Sequence, residues 1–185
     1  MSQFAESLSH ERMAARPPGL PPAEAEPAPI PAPVGELPFR PEVFFLGRTE
    51  GAGVTRDVLD RVVRRFTITT TGVFDPAHRA IHFDETFAYD DGEVELWRWV
   101  MAPGRGGRYV AAEARAGAGI AGERRGPDYL ISFRRPHGKA RGLLAPHFSA
   151  RFTLLAPDIA LRRANVSLLG VPVGALHAVH RRLEN

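Results

Sequence analysis

Short segments in which apolar and polar residues alternate, each followed by a turn signal, constrain the fold of this chain more than any other feature. Within residues 81–89, Phe83, Phe87 and Tyr89 share one face and polar side chains fill the other, as a half-buried β-strand requires. The Asp-Asp-Gly sequence at 90–92 is typical of a tight hairpin turn. Such a pattern predicts strands joined by hairpins.

The alternating pattern recurs roughly eight to ten times after residue 41, at intervals of about 8–14 residues, with hardly a helical period between. This spacing indicates an all-β fold, either a sandwich or an antiparallel up-and-down β-barrel of 8–10 strands. Consecutive hairpins close naturally into a ring, and closure removes exposed edges. We therefore predict a barrel domain over residues 39–185.

Proline dominates the segment before the barrel, since residues 17–41 hold ten of the seventeen prolines of the chain. Proline lacks a backbone donor and fixes φ, so such a segment is extended and semi-rigid. We predict a disordered Pro-rich leader over residues 1–38 that acts as a spacer, with a short helix at 2–15.

Composition excludes several kinds of site. The chain has no cysteine, which excludes disulfides, a cysteine zinc site and a thiol nucleophile. The net charge of +3 is mild, so no nucleic-acid partner is expected. No apolar run approaches the roughly 18 residues of a spanning helix, and no signal peptide is visible. A cytoplasmic protein without an integral membrane segment is predicted, and its oligomeric state is left open.

Several segments resemble the bacterial family catalogued as domain of unknown function 3833. The resembling segments are residues 45–54, 64–66, 83–93, 97–98, 170–174 and 181–182. The most specific of them is the Tyr-Asp-Asp-Gly-Glu stretch at 89–93. The resemblance covers roughly residues 42–183 and implies a lipocalin-like barrel. It transfers no catalytic residue, because the family has none established.

Two features depart from the family pattern. Many members resemble lipoproteins with a lipid-bearing cysteine, which this chain lacks, so the resemblance implies no membrane anchor. Members also tend to carry an Asp-Trp pair in a late strand, where residues 148–152 here read Phe-Ser-Ala-Arg-Phe.

The barrel interior is the first candidate site, because a barrel of about eight strands holds either its own side chains or one small ligand. Small residues between 111 and 121 favour unfilled space inside. The predicted ligand-binding residues are Arg64, Phe66, Glu85, Phe87, Tyr89, Trp97, Trp99, Tyr129 and Phe133. Arg64 shares the phase of Phe66 and needs a partner if it points inward: either a ligand carboxylate or Glu85.

The other clusters of polar residues give weaker evidence for a functional site. Asp90, Asp91 and Glu93 have hairpin chemistry and do not fit a calcium loop. His177 and His180 lie three apart, so on a strand their rings point to opposite sides and cannot share a metal. No catalytic triad or phosphate loop occurs. No catalytic residue, metal or cofactor is therefore predicted.

These observations favour a binding protein over an enzyme, with a fatty-acyl or other small hydrophobic ligand in the barrel. One alternative is a small-barrel enzyme acting on a lipid-like substrate, with Arg64, Glu85 and Tyr89 nearest the chemistry. A second alternative is a haem-binding barrel that uses His177 or His180 as an axial ligand.

Overall fold

The computed structural model describes residues 37–136 and 144–184 and consists almost entirely of β-strands. A one-turn helix, α1 (Pro41–Phe44), precedes the strands, and a 3-10 turn lies at Arg105–Gly107. The strands are β1 (Gly47–Arg56), β2 (Val62–Asp75), β3 (Ala80–Tyr89), β4 (Val94–Pro103), β5 (Arg108–Glu113), β6 (Gly117–Arg125), β7 (Asp128–Arg134), β8 (His147–Ala156), β9 (Ile159–Leu168) and β10 (Val171–Arg182).

The ten strands form one closed antiparallel barrel in which every strand pairs with the next along the chain. β10 pairs with β1 to close the ring, through eight register pairs from Thr49–Arg182 to Arg56–Ala175. The predicted all-β, up-and-down, lipocalin-like barrel is confirmed, at the upper end of the predicted strand number. Closure leaves no unpaired edge strand in the ring.

Sequence alternation explains which side chains face inward. In β4, Trp97, Trp99 and Met101 are buried while Arg98 between them is exposed. Turns follow local chemistry: Leu169 and Gly170, both with positive φ, connect β9 to β10 through two residues. Most strands therefore carry one apolar face, and the barrel interior is the core.

Three aromatic residues before β1 fill one end of the barrel, and we call Phe39, Phe44 and Phe45 the plug. All three are buried, and the rings of Phe45 and Phe83 stack with centroids 4.5 Å apart. The apolar run at 43–46 thus contributes Phe44 and Phe45 to the core and does not form a strand, while Val43 and Leu46 are exposed. The end of β10 lies at the plug end as well, since Leu183 donates its backbone N–H to the carbonyl oxygen of Arg48.

The opposite end of the barrel, which we call the rim, is formed by Arg64, Tyr89, Glu95, Glu113 and Arg135. The hairpin of β5 and β6 is loosely held there. β6 pairs with β7 through only four residue pairs, all in the half of the barrel near the plug. β4 pairs with β5 only between Trp99 and Pro103, which is the half of β4 nearer the plug. A notch without backbone pairing therefore separates the halves of β4 and β7 that lie nearer the rim.

Two expectations fall wholly or mostly outside the described residues: the helix at 2–15 and the Pro-rich leader at 1–38. They stay predictions, as does the domain boundary at 38–39. Within the part of the chain that the structure describes, no helix has the length and apolar character needed to cross a membrane.

Candidate functional site

Five inward-facing polar residues on five adjacent strands form a continuous band around part of the interior. Thr49 on β1 lies opposite Thr70 on β2, and Thr70 lies opposite Glu85 on β3. His180 on β10 and Arg162 on β9 extend the band beyond Thr49, each two positions out of direct register with its neighbour. All five are buried. We call them the interior polar ring.

An ion pair across the barrel interior closes the interior polar ring. Arg162 Nη1 donates to both carboxylate oxygens of Glu85, at 3.1 and 3.3 Å, and Trp99 Nε1 donates to Glu85 Oε2 at 3.1 Å. The guanidinium carbon lies 5.0 Å from the ring centroid of Phe152 and 5.6 Å from that of Phe87. A buried ion pair is tolerated only with such additional partners.

The remaining polar atoms of this ring have no hydrogen-bond partner among the described residues. They are Thr49 Oγ1, Thr70 Oγ1, Arg162 Nε, His180 Nδ1 and His180 Nε2. Leaving a buried polar group unpaired costs about 1–3 kcal/mol, so folded proteins seldom do so without a water or ligand at the site. The band therefore offers a hydrogen-bonding surface for another molecule.

His180 is neutral in this environment. Burial, and after it the charge on Arg162, lower the pKa of His180 to about 3. Its ring lies against Phe45 and Phe152, at centroid distances of 6.3 and 5.8 Å. A neutral imidazole supplies one donor and one acceptor.

Aromatic side chains from β2, β3, β4 and β7 pack around one side of the interior polar ring. The rings of Trp97 and Trp99 lie 6.3 Å apart, and that of Phe133 lies 4.9 Å from Trp99. Both tryptophans of the chain are in this wall. Their emission consequently reports on the barrel interior.

Three alanines lie on the opposite wall, beside Phe152 and Leu176. Ala150 on β8, Ala164 on β9 and Ala178 on β10 are buried, and Ala150 pairs directly with Ala164. Each contributes one methyl group to the interior. The expectation that small residues between 111 and 121 line the interior is largely wrong, because most of that segment is exposed and lies at or near the β5–β6 turn.

Arg64 lies at the rim and is held by two carboxylates. Its Nη2 donates to Asp91 Oδ1 at 2.7 Å and to Glu93 Oε2 at 2.9 Å, and its guanidinium carbon lies 3.6 Å from the Tyr89 ring centroid. The hydrogen bond from Arg64 lowers the pKa of Asp91, and burial raises the pKa of Tyr89 to about 12.

A second arginine, Arg135, fills the notch between β4 and β7. Its Nε lies 3.4 Å from Glu113 Oε1, its Nη1 lies 3.8 Å from Glu95 Oε2, and its Nη2 donates to the Leu96 carbonyl oxygen at 3.2 Å. The guanidinium carbon also lies 4.2 Å from the Trp97 ring centroid. Arg135 therefore bridges strand segments that lack backbone pairing.

The predicted interior residues do not form one site. Register places Glu85 opposite Thr70, six residues along β2 from Arg64, which is about 20 Å in an extended strand. The expected Arg64–Glu85 pair is therefore wrong: Arg64 binds rim carboxylates and Glu85 binds Arg162. Tyr129 lies at the plug end, where it stacks on Phe39 with centroids 6.0 Å apart.

The other predicted residues share the inward phase of their strands. They are Phe66, Phe87, Tyr89, Trp97, Trp99 and Phe133, and of these only Tyr89 is partly exposed. Their inward position is observed, and their role in binding stays a prediction.

Most of the interior polar ring was not predicted from the sequence. A signal for Arg162 exists, because it shares the period-two phase of Ala160 and Ala164, all three of them buried. His180 shares the phase of Leu176 and Ala178 in the same way. The expected separation of His177 and His180 is confirmed, since His180 is buried and His177 lies on the other face of β10.

Two further observations do not add to the candidate site. Among residues 37–136 and 144–184, no three His, Asp or Glu side chains are grouped to hold a metal ion. An open depression of about 540 Å³ lies over β1, β2 and β3 and includes Ala52, Thr67 and Ala88. No member of the interior polar ring lines it.

Comparison with known proteins identifies a family and a fold. The model of a family described as "Protein of unknown function (DUF3833)" matches residues 35–182. No curated protein matches the sequence. An S-type phycobiliprotein lyase from Guillardia theta has a TM-score of 0.58 and 11% identity, covering 77% of this chain and 92% of the lyase.

A second solved structure is a protein of unknown function from the DUF3598 family of Nostoc punctiforme. It has a TM-score of 0.53 and 15% identity, and the alignment covers 75% of this chain. This chain spans 47% of that protein's length. At these identities both similarities concern the fold alone.

Proposed function

This chain belongs to the DUF3833 family of proteins of unknown function, and from its barrel interior we propose that it binds one small, largely apolar molecule among the rings of the barrel. The main support for this proposal is the interior polar ring, because its five unpartnered polar atoms lie in an otherwise apolar interior. Ligand sites typically combine apolar walls with a few convergent polar groups that orient the ligand.

The shape of the interior supports the same proposal. Rings on β2, β3 and β4 face a mixed wall, in which three alanines lie beside Phe152 on β8, Arg162 on β9 and Leu176 on β10. At the three alanines this wall carries only methyl groups. The ligand would lie against Ala150, Ala164 and Ala178, with its polar group toward the interior polar ring. A fatty-acyl or similar hydrophobic molecule fits this description of the walls.

The fold is compatible with this function without specifying it. Barrels of this size enclose either packed side chains or a single ligand. A phycobiliprotein lyase has a similar fold, and one fold serves many functions. The argument for binding therefore depends on the interior side chains. The cytoplasmic location stays a prediction from the sequence.

Two alternatives are less well supported. The enzyme alternative needs Glu85 as an unpaired base, but both of its carboxylate oxygens are engaged by Arg162 and one by Trp99. The haem alternative named His177 or His180, but His177 lies on the outer face of β10. The unpartnered ring of His180 is packed against Phe45 and Phe152. A Soret band in protein expressed with added haem would favour haem, and its absence would exclude it.

The test is to recover the ligand and then rebind it. Purified protein is extracted with organic solvent, and the extract is analysed by mass spectrometry for a stoichiometric apolar molecule. The extracted protein is then titrated with that molecule while tryptophan emission is followed. We expect a saturable change, because Trp97 and Trp99 are the only tryptophans and both line the interior.

A pair of matched variants locates the site. Ala164→Phe adds a ring to the inner wall and should abolish the emission change. Ala121→Phe adds the same ring at an exposed position on β6 and should leave it intact. An empty extract together with unchanged emission for a panel of apolar molecules would refute the proposed function.

A further inference from the structure

We propose that the interior polar ring selects an uncharged ligand: a molecule that is apolar apart from one hydroxyl or amide group. That group would hydrogen-bond to Thr49, Thr70 and His180. The inference rests on the proposed function, and it replaces the expectation that an inward arginine holds a carboxylate. It names the chemistry of the ligand's polar group from the charges and donors in the barrel.

The first argument is the balance of charge at the centre of the barrel. Arg162 and Glu85 are both buried, with side chains 2% exposed, and they neutralise one another at 3.1 Å. A ligand carboxylate placed beside Arg162 would also lie near Glu85, and nothing else in the interior polar ring carries a positive charge. Burying that unpaired charge costs far more than burying a hydroxyl or amide.

The second argument is the kind of hydrogen bond on offer. The threonine hydroxyls each donate and accept, neutral His180 supplies one donor and one acceptor, and Arg162 Nε donates. A hydroxyl or amide uses both kinds of partner. A carboxylate only accepts, and it leaves the acceptor nitrogen of His180 unsatisfied. A pure hydrocarbon leaves all five polar atoms unsatisfied.

Thirdly, both arginines among the five rim residues already face carboxylates. Arg64 is bound by Asp91 and Glu93, and Arg135 faces Glu113 and Glu95. Each rim arginine thus faces two carboxylates. These two arginines therefore add no net positive charge beside the interior.

The test uses three probes that share a ten-carbon chain: decanol, decanamide and decanoate at pH 7.5. Each is titrated into solvent-extracted protein while tryptophan emission is followed. Decanol and decanamide should bind at least about tenfold more tightly than decanoate. Decanoate binding as tightly as decanol would overturn the inference while leaving the proposed function intact. No binding by any probe, together with an empty extract, would overturn both.

One variant pair tests the hydrogen bonds. Thr70→Val removes one inward hydroxyl with little change in volume and should weaken decanol binding about fivefold without affecting decanoate. Thr69→Val, one residue away on the exposed face of β2, should leave both affinities unchanged. Equal decanol affinity in Thr70→Val and Thr69→Val would contradict the contact.

A second variant pair tests the charge. Glu85→Gln leaves Arg162 without its counter-charge and should strengthen decanoate binding by at least about tenfold, reversing the preference. Glu50→Gln makes the same charge change on the outer face of β1, where Glu50 pairs with Arg48, and should have no effect. If Glu85→Gln does not fold, the wild-type probes and the threonine pair still decide the inference.

Discussion

Each buried arginine of this barrel lies against an aromatic side chain as well as a carboxylate. Arg162 lies against Phe152 and pairs with Glu85, while Arg135 lies over Trp97 and faces Glu113. Removing one partner of such a pair leaves an uncompensated buried charge, which typically costs about 3–5 kcal/mol. Neither arginine can therefore be lost singly without a large change in stability.

His180 makes the stability of the protein depend on pH. Its pKa in the folded state is about 3, whereas an unfolded histidine titrates near 6.5. Between these values the unfolded chain binds more protons, so stability is complete above about pH 6.5 and falls as the pH drops toward 3. The contribution of His180 between pH 7.5 and pH 5.0 is about 2 kcal/mol.

Urea unfolding at the two pH values measures this effect. The wild type should lose about 2 kcal/mol more than His180→Gln between pH 7.5 and pH 5.0, because glutamine does not titrate. His177→Gln, which changes the histidine on the opposite face of β10, should behave like the wild type. Parallel pH dependence in the wild type and His180→Gln would show that His180 is not the titrating group.

The residue scale was the hardest to predict from sequence. Alternation correctly placed Phe87, Trp97 and Trp99 inward, because a period of two fixes the face of each side chain. It could not pair Glu85 with Arg162, since the partners lie 77 residues apart and meet only across the closed ring. Partner choice depended on register and closure, which no local pattern contains.

At the scale of elements, the plug depends on one glycine. A Cβ at position 72 of β2 would overlap the carbonyl oxygen of Phe45 and lie 3.2 Å from the Cβ of Phe83. Backbone of the plug thus passes directly over this strand. Only glycine leaves room for that approach.

Gly72→Ala should therefore displace the plug and destabilise the protein by about 1–3 kcal/mol, the range seen when a packed core is overfilled. Gly104→Ala, outside the strands and with its nearest neighbour at 3.3 Å, should change stability by less than about 1 kcal/mol. Chemical denaturation of both variants provides the comparison. Equal stability of the two would mean that the plug adjusts freely around the added methyl group.

Elements were predictable where turns were explicit. Asp-Asp-Gly correctly marked the turn between β3 and β4, where Gly92 has a φ of 86°. The plug was not recognised, because the apolar run at 43–46 has no period that separates a short helix from a strand. The weak attachment of the β5–β6 hairpin was equally invisible, since it depends on which strand residues remain unpaired.

For the whole molecule, the decisive contact is between the first and last strands. Thr49 pairs with Arg182, so the ring closes only when residues far apart in sequence meet. Folds dominated by such contacts form slowly, because loop closure costs entropy before any non-local contact forms. Refolding should take milliseconds to seconds.

Stopped-flow dilution from urea, followed by tryptophan emission and by far-UV circular dichroism, measures this. The emission change should follow barrel closure, because Trp97 and Trp99 become buried only inside the ring. Complete recovery of native emission within the dead time of the instrument would contradict a closure-limited reaction.

The plug also marks the end of the barrel at which the first strand begins and the last strand ends. The chain enters β1 through the plug and leaves β10 at the same end, while Arg64, Glu95 and Arg135 occupy the other. A protein captured on a sensor surface through a tag that follows β10 would therefore stand with its rim toward the flowing solution. Binding to protein captured in this way should agree with binding measured in solution, and that agreement would show that the tether does not block the interior.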